Sequence, residues 1–199
     1  MTERFHSAGN EVLHTRTALA ACRTRAGDYE SALREYDDLV EQAITTYGRL
    51  HSTPLFLRHE HAWCVGEAGD SREAVRLLER LVTEITELQD RNLVHLLLTR
   101  RALAWWTGEA GEPGQAVQQL RDLLDETACH RGSDDHRVLV LGHMLAYWKA
   151  VDGPPAQVLQ RLEHHVVQID QDLGPAHEIT RASRRRLAQL QPNKSQQLA

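Results

Sequence analysis

Twelve histidines, two of them flanking a glutamate in His59-Glu60-His61, are the residues of this sequence best suited to chemistry. Imidazole and carboxylate together bind transition metals or move protons. The spacing works against both uses. On a helix His59 and His61 point ~200° apart, whereas the HExxH pattern sets two His at i and i+4 on one face. The adjacent pair His164-His165 diverges in the same way. The glycine-rich stretch GEAGEPG (108–114) has no strand before it and no Gly-Lys-Ser/Thr after it, so it reads as a helix–helix turn rather than a phosphate cradle. The three cysteines are too few for a disulfide framework. Cys22 and Cys64 read as packing residues, with Cys129, beside His130, the more exposed one. Asp37-Asp38 and Asp134-Asp135 fall at helix surfaces or starts, where solvation or capping accounts for them. These residues assemble no nucleophile, base and oxyanion hole. The expectation is a protein that is not an enzyme, with no catalytic residue, no metal and no cofactor.

The chain has 199 residues, 41% hydrophobic and 26% charged, the balance of a folded globular protein rather than a disordered one. A formal charge of −5 argues against a nucleic-acid coat. No apolar run reaches the ~18–20 residues of a membrane span, and the N-terminal MTERFHSAGNEV has no signal-peptide core. A reducing cytoplasm is the expected compartment. Lys149 and Lys194 are the only lysines, an arginine bias that fits a GC-rich genome.

What positions the histidines is a repeat. Gly27, Gly69, Gly111 and Gly153 stand 42 residues apart. Seven residues before them come Ala20, Ala62, Ala104 and Ala146, and the same step reaches Ala188. Five residues after them come Ala32, Ala74, Ala116 and Val158. Self-similarity at this period marks an array of stacked supersecondary units.

Each unit reads as two helices, from apolar residues at helical spacing. First helices are predicted over 11–25, 54–67, 93–109, 135–150 and 178–190. Second helices are predicted over 29–47, 72–88, 114–130 and 156–173. The glycine between them suits a left-handed residue closing the first helix, with Asp28 or Asp70 as the next N-cap. Pro113 and Pro154–Pro155 sit where a helix starts and needs no amide partner. The expected domain plan is an arm (1–9), repeats at 10–50, 51–92, 93–134 and 135–176, a capping helix (177–190) and a polar tail (191–199).

The segments WCVGEAGDSREAV (63–75) and WWTGEAGEPGQAV (105–117) resemble tetratricopeptide repeats of the 42-residue kinesin-light-chain type, common in GC-rich bacteria. The junctions YGRLHS (47–52), RGSDDH (131–136) and LGPAHE (173–178) resemble that type's Leu-Gly-x-x-His connector, which makes His51, His136 and His177 structural. The fourth repeat departs at AVDGPPAQV (150–158), and LQDRNLVH (88–95) has lost its connector Gly. The resemblance implies an all-α, right-handed α-solenoid of about four helix-turn-helix repeats plus a C-terminal capping helix. It also implies that first helices line a concave groove for a peptide or a partner helix.

Carried onto this chain, the groove positions form three ladders: Ala21, Trp63, Trp105, Tyr147, Gln189; Thr17, His59, Arg101, His143, Arg185; and His14, Phe56, Leu98, Val140, Ala182. Trp, Tyr and Arg are the residue types that dominate binding hot spots. The candidate binding residues are therefore Trp63, Trp105, Tyr147 and Phe56 as apolar anchors. His59, Arg101, His143 and Arg185 would orient acidic groups, the histidines once protonated. The competing reading has the tryptophans packing between neighbouring first helices. His61 falls in a leucine column (Leu19, Leu103, Leu145) and reads as core. His59 and His143, two repeats apart, stand roughly 20 Å from each other and cannot share a metal.

The expected function is a non-catalytic protein–protein interaction scaffold binding a peptide or partner protein, acidic or aromatic in character. Two alternatives are a ligand-gated module sensing a small peptide or metabolite, and a self-assembling homodimer joined through the first repeat around Phe5, Val12 and Leu13. Arg181, Arg184, Arg185 and Arg186 make the last helix basic, either as a solvated cap or as a patch for an acidic partner.

Overall fold

The computed structural model describes residues 2–87, 93–132, 135–153 and 155–190. Nine helices occupy them: α1 (Thr2–Ala26), α2 (Tyr29–Tyr47), α3 (Ser52–Glu67), α4 (Ser71–Thr86), α5 (Leu93–Glu109), α6 (Pro113–Arg131), α7 (His136–Val151), α8 (Pro155–Leu173) and α9 (Glu178–Leu190). No strand occurs among the described residues. This is the all-α helix-turn-helix solenoid expected from the 42-residue register, and every predicted helix is present. Residues 2–9 continue into α1 instead of forming a separate arm. The second connector at 88–92, residues 133–134, Pro154 and the tail at 191–199 lie outside the described residues.

The chain divides into two units, Met1–Ala110 and Gly111–Ala199. In the first, α1 to α5 pack in chain order, and α1, α3 and α5 also meet as neighbours in one layer. In the second, α6 to α9 pack in chain order, and α7 meets α9.

Backbone chemistry explains the regularity. Gly27, Gly69 and Gly111 take φ of 83°, 105° and 102°, the left-handed turn that only glycine makes without strain. Asp28 and Asp70 then cap α2 and α4 by accepting from the amides of Ser31 and Glu73. The connectors have their own device. Gly48, Gly132 and Gly174 are left-handed, and three residues later a side chain caps the next helix. His51 Nδ1 accepts from Thr53 N, His177 Nδ1 from Ile179 N, and Asp135 from Arg137 N. His51 and His177 are thus structural, as the connector resemblance implied. In the connector between α6 and α7 the capping role belongs to Asp135, and His136 is simply the first residue of α7.

Small residues set the helix spacing. Ala20, Ala62 and Ala104 on first helices and Ala32, Ala74 and Ala116 on second helices are fully buried. Around the first set, Leu13, Tyr36, Leu39, Ala43, Leu57 and Cys64 form one core cluster. Cys64 is buried there, with Thr24 Oγ1 at 3.3 Å from its sulfur. Cys22, the same column one repeat earlier, is exposed. The packing role read for it does not hold. Cys129 is exposed.

A column that the ladders did not include ties first helices to second helices. Arg16, Arg58, Arg100 and Arg184 stand at 42-residue steps, with Gly142 in the fourth repeat. Arg16 donates to Glu35 and Gln42, and Arg58 donates to both oxygens of Glu84 at 2.8 Å. Arg49, from the connector, joins the same carboxylate. The two guanidinium groups hold the Glu84 carboxyl down at about 2.

The fourth repeat departs from this plan. Gly153 is not left-handed, and the Arg161 guanidinium lies where its Cβ would be. Ala146 is exposed, not buried, and Val158 is half-buried where the other repeats bury alanine. Gly142 supplies no arginine, and Leu139 stands exposed on the same helix. The volume of Val158, the proline-led start of α8 and the missing arginine all act against close approach of α8 to α7.

Candidate functional site

The first-helix layer of the first unit carries the best-formed part of the predicted surface. Phe56 and Trp63 lie on α3, and Leu98 and Arg101 on α5. Phe56 is 38% exposed, an unusual state for a phenylalanine. Trp63, Leu98 and Arg101 are half-buried. His14 is exposed and Thr17 half-buried on α1.

Trp63 owes its pose to a volume exchange between repeats. Trp106 of α5 meets it edge-on, with ring centroids 5.2 Å apart and planes at 67°. Trp106 reaches that position because residue 66 of α3 is glycine. A Cβ there would overlap the indole. One repeat earlier the same two columns hold Thr24 and Cys64, a small pair in mutual contact. Gly66 with Trp106 fills the equivalent space by moving nearly all of its volume to one side. The exposed face of Trp63 is thereby propped on a buried neighbour.

The other ladder members stand elsewhere in burial. Trp105 is 4% exposed and Tyr147 only 1%. Their rings offer little surface to an incoming partner. His59 is buried, its Nδ1 without a protein partner and its Nε2 3.9 Å from Glu60 Oε1. Burial, with the charges of Arg101 and His95, pushes its pKa down to about 3. His59 is therefore neutral at physiological pH and does not serve as the cationic rung expected of it. His143 is buried in the second unit, with Nε2 3.0 Å from Asp172 Oδ2. Arg185 is exposed on α9, beside Arg181, Arg184 and Arg186, and Arg184 is held by Asp170 at 2.6 Å.

The remaining histidines fall into place in the same way. His61 is half-buried, 3.3 Å from Asp37 Oδ1, the local partner expected of a core histidine. His164 is exposed, while His165, its neighbour, is buried. Among the described residues no group of three or more His, Cys, Asp and Glu is arranged to hold a metal ion. Among the same residues no helix is long and apolar enough to cross a membrane.

Phe56, Trp63, Leu98 and Arg101 thus place apolar area and a planar cation on one helix layer. Such a layer can bury an aromatic or aliphatic anchor and pair a carboxylate. Two signals in the sequence pointed further than the ladders did: the arginine column at 16, 58, 100 and 184, and the glycine at 66 facing a tryptophan 40 residues on.

Comparison with known proteins agrees with this architecture. The tetratricopeptide repeat family model matches residues 11–83. A Podosopora anserina protein described as a kinesin light chain, with nearly identical TPR-like repeats, superposes with a TM-score of 0.63 at 24% identity. A second crystal structure, of a variant of that protein, gives 0.62 at the same identity. Both alignments cover 89% of this chain and 84% of the other. No curated protein matches.

Proposed function

From a chain that carries tetratricopeptide repeats over residues 11–83 and keeps their fold over most of its length, we propose a non-catalytic scaffold that binds an extended peptide or partner helix. Repeats of this kind generally mediate protein–protein interaction. The contact surface is the first-helix layer of the first unit. Phe56 and Trp63 bury an apolar anchor, and Arg101 orients a carboxylate.

The observation that carries this reading is the pairing of an exposed Phe56 with a Trp63 propped by Trp106 in the same layer as Arg101. Large aromatics left at a surface mark contact sites more often than single exposed leucines do. Trp105 and His59, buried on the same helices, support the layer from within and are not direct contacts. The partner's chemistry follows: an aromatic or branched aliphatic side chain close to Asp or Glu.

Selection from a random peptide library on the purified chain tests the reading. Enriched peptides pair an aromatic or aliphatic residue with an acidic one, and they are lost with the Phe56→Ala, Trp63→Ala, Arg101→Ala triple variant. Equal retention by a folded triple variant refutes it.

A second reading, self-association, is favoured by one observation. On α1, Val12 is 56% and Leu19 46% exposed, and Cys22 of the same helix is exposed as well. Leu13, by contrast, is buried in the core and is not part of that surface. The side chain of Phe5 lies outside the described residues. Light scattering at high concentration separates the two readings, since a strict monomer excludes the second.

A further inference from the structure

Val12, Thr15, Leu19, Cys22 and Ala26 follow one another along α1 at alternating steps of three and four residues, and all five are exposed. The same steps continue back to Ala8 and Phe5 in the sequence. A largely apolar repeat of about 3.5 residues is the seam of a two-helix coiled coil. The stripe lies roughly 140° round the helix from Leu13 and Ala20, which bury α1 against its own core. Among the described residues α1 packs only on α2 and α3, and the stripe stays open beside both.

In later repeats the matching columns are interior. The Thr15 column holds Leu57, Thr99, Leu141 and Ser183, and the Cys22 column holds Cys64, Trp106 and Trp148, all of them buried. Leu57 and Cys64 of α3 share a core cluster with Leu39 of α2. The open stripe of α1 is therefore built on columns that take a second helix elsewhere in this chain.

We propose that the occupant is α1 of a second copy, laid antiparallel on the first about a two-fold axis. This rests on the self-association reading above and gives it a geometry. The seam closes on itself: Val12 meets the partner's Cys22, Leu19 meets the partner's Thr15, and Ala26 falls at the register of the partner's Ala8, each layer occurring twice. Large and small residues alternate across every layer, so none is overfilled.

Charge selects the antiparallel sense. The C-terminal half of α1 carries Arg16, Arg23 and Arg25 and no acid, whereas the N-terminal half carries Glu3 and Glu11 with Arg4. A parallel pair sets the basic halves side by side, and an antiparallel pair sets each against the acidic half. Glu11, Ala18 and Arg25 share one flank of the stripe at seven-residue steps. That flank runs against its own copy, so the register brings Glu11 to the partner's Arg25 twice. On the other flank Arg16 and Arg23 are held by Glu35 of their own chain, at 2.6 and 3.5 Å, which limits their repulsion across the axis. A single helix pair is a small interface, so the dimer is weak, with a Kd roughly micromolar or higher.

Sedimentation of the full chain from nanomolar to sub-millimolar concentration, with thiol cross-linking, tests the proposal. The wild type passes from monomer to dimer. Leu19→Glu, a change at an exposed position, keeps the circular dichroism and melting curve and stays monomeric. Arg25→Glu weakens the dimer about five- to tenfold at low salt, and adding Glu11→Arg restores it. Positions 12 and 22 stand about 15 Å apart on one helix, so a disulfide between them forms only across the axis. In a Cys129→Ser background, mild oxidation links Val12→Cys to the partner's Cys22, and the chain with Cys22 alone on α1 does not cross-link. A wild type that is monomeric throughout overturns the proposal and the self-association reading together. A dimer that survives Leu19→Glu, or one linked directly through its two Cys22 residues, overturns the antiparallel seam and leaves self-association standing.

Discussion

Replacing Gly66 by alanine puts the packing account at risk in a single methyl group. The added Cβ overlaps three atoms of the Trp106 indole, which is itself buried. Trp106 has no free direction, because its ring already meets Trp63 at 5.2 Å. Overpacking of this kind costs about 1–3 kcal/mol. Alanine returns up to about 1 kcal/mol of helix propensity near the end of α3. The net destabilisation is about 1–2 kcal/mol, or roughly 2–8 °C in Tm for a chain of this size. Thermal melts followed by circular dichroism measure it, and the near-ultraviolet signal of the Trp63–Trp106 pair changes with it. In a Trp106→Leu background the clash is absent, so the same Gly66→Ala change becomes neutral or stabilising. A sign that does not reverse between the two backgrounds, or a Gly66→Ala protein that melts higher with an unaltered aromatic signal, refutes the reasoning.

Other outcomes follow from the same geometry. Glu84→Gln removes the carboxylate shared by Arg49 and Arg58 and lowers stability by about 1–2 kcal/mol at pH 7. Because Glu84 titrates at about 2 in the folded chain, its contribution is present above pH 4.5 and fades as pH falls through about 2, as acid titrations of wild type and variant compare directly. His59, held down at about 3, keeps a neutral imidazole NMR signature from pH 8 to 5, whereas a titration midpoint near 6.5 contradicts its burial. Asp70→Ala and Asp135→Ala each cost about 1 kcal/mol by loss of a helix cap, read from denaturant melts. Cys22 and Cys129 react promptly with a thiol reagent in the native state and Cys64 only on unfolding, by timed labelling and mass spectrometry.

Helix positions were legible because each depends on local signals repeated every 42 residues. Gly27 and Gly69 needed the left-handed turn, and Asp28 and Asp70 each stood where a free amide required a cap. Exposure was less legible. Trp63 and Trp105 share a ladder, yet one is half-buried and the other closed, because burial is decided by neighbours that a one-dimensional register does not weigh. Gly153 matched its column by identity but not by conformation, since Pro155 and Val158 alter the start of α8. His165 was readable in principle: three leucines precede it in its column, and a histidine there had to be either paired or strained.

A hydrogen-exchange footprint of the chain bound to a library-selected peptide tests the scaffold reading most directly. The predicted result is new protection confined to α3 around Phe56 and Trp63 and to α5 around Leu98 and Arg101, with the outer faces of α2 and α4 unchanged. Protection on the second-helix faces, with none at Phe56, Trp63 or Arg101, contradicts it.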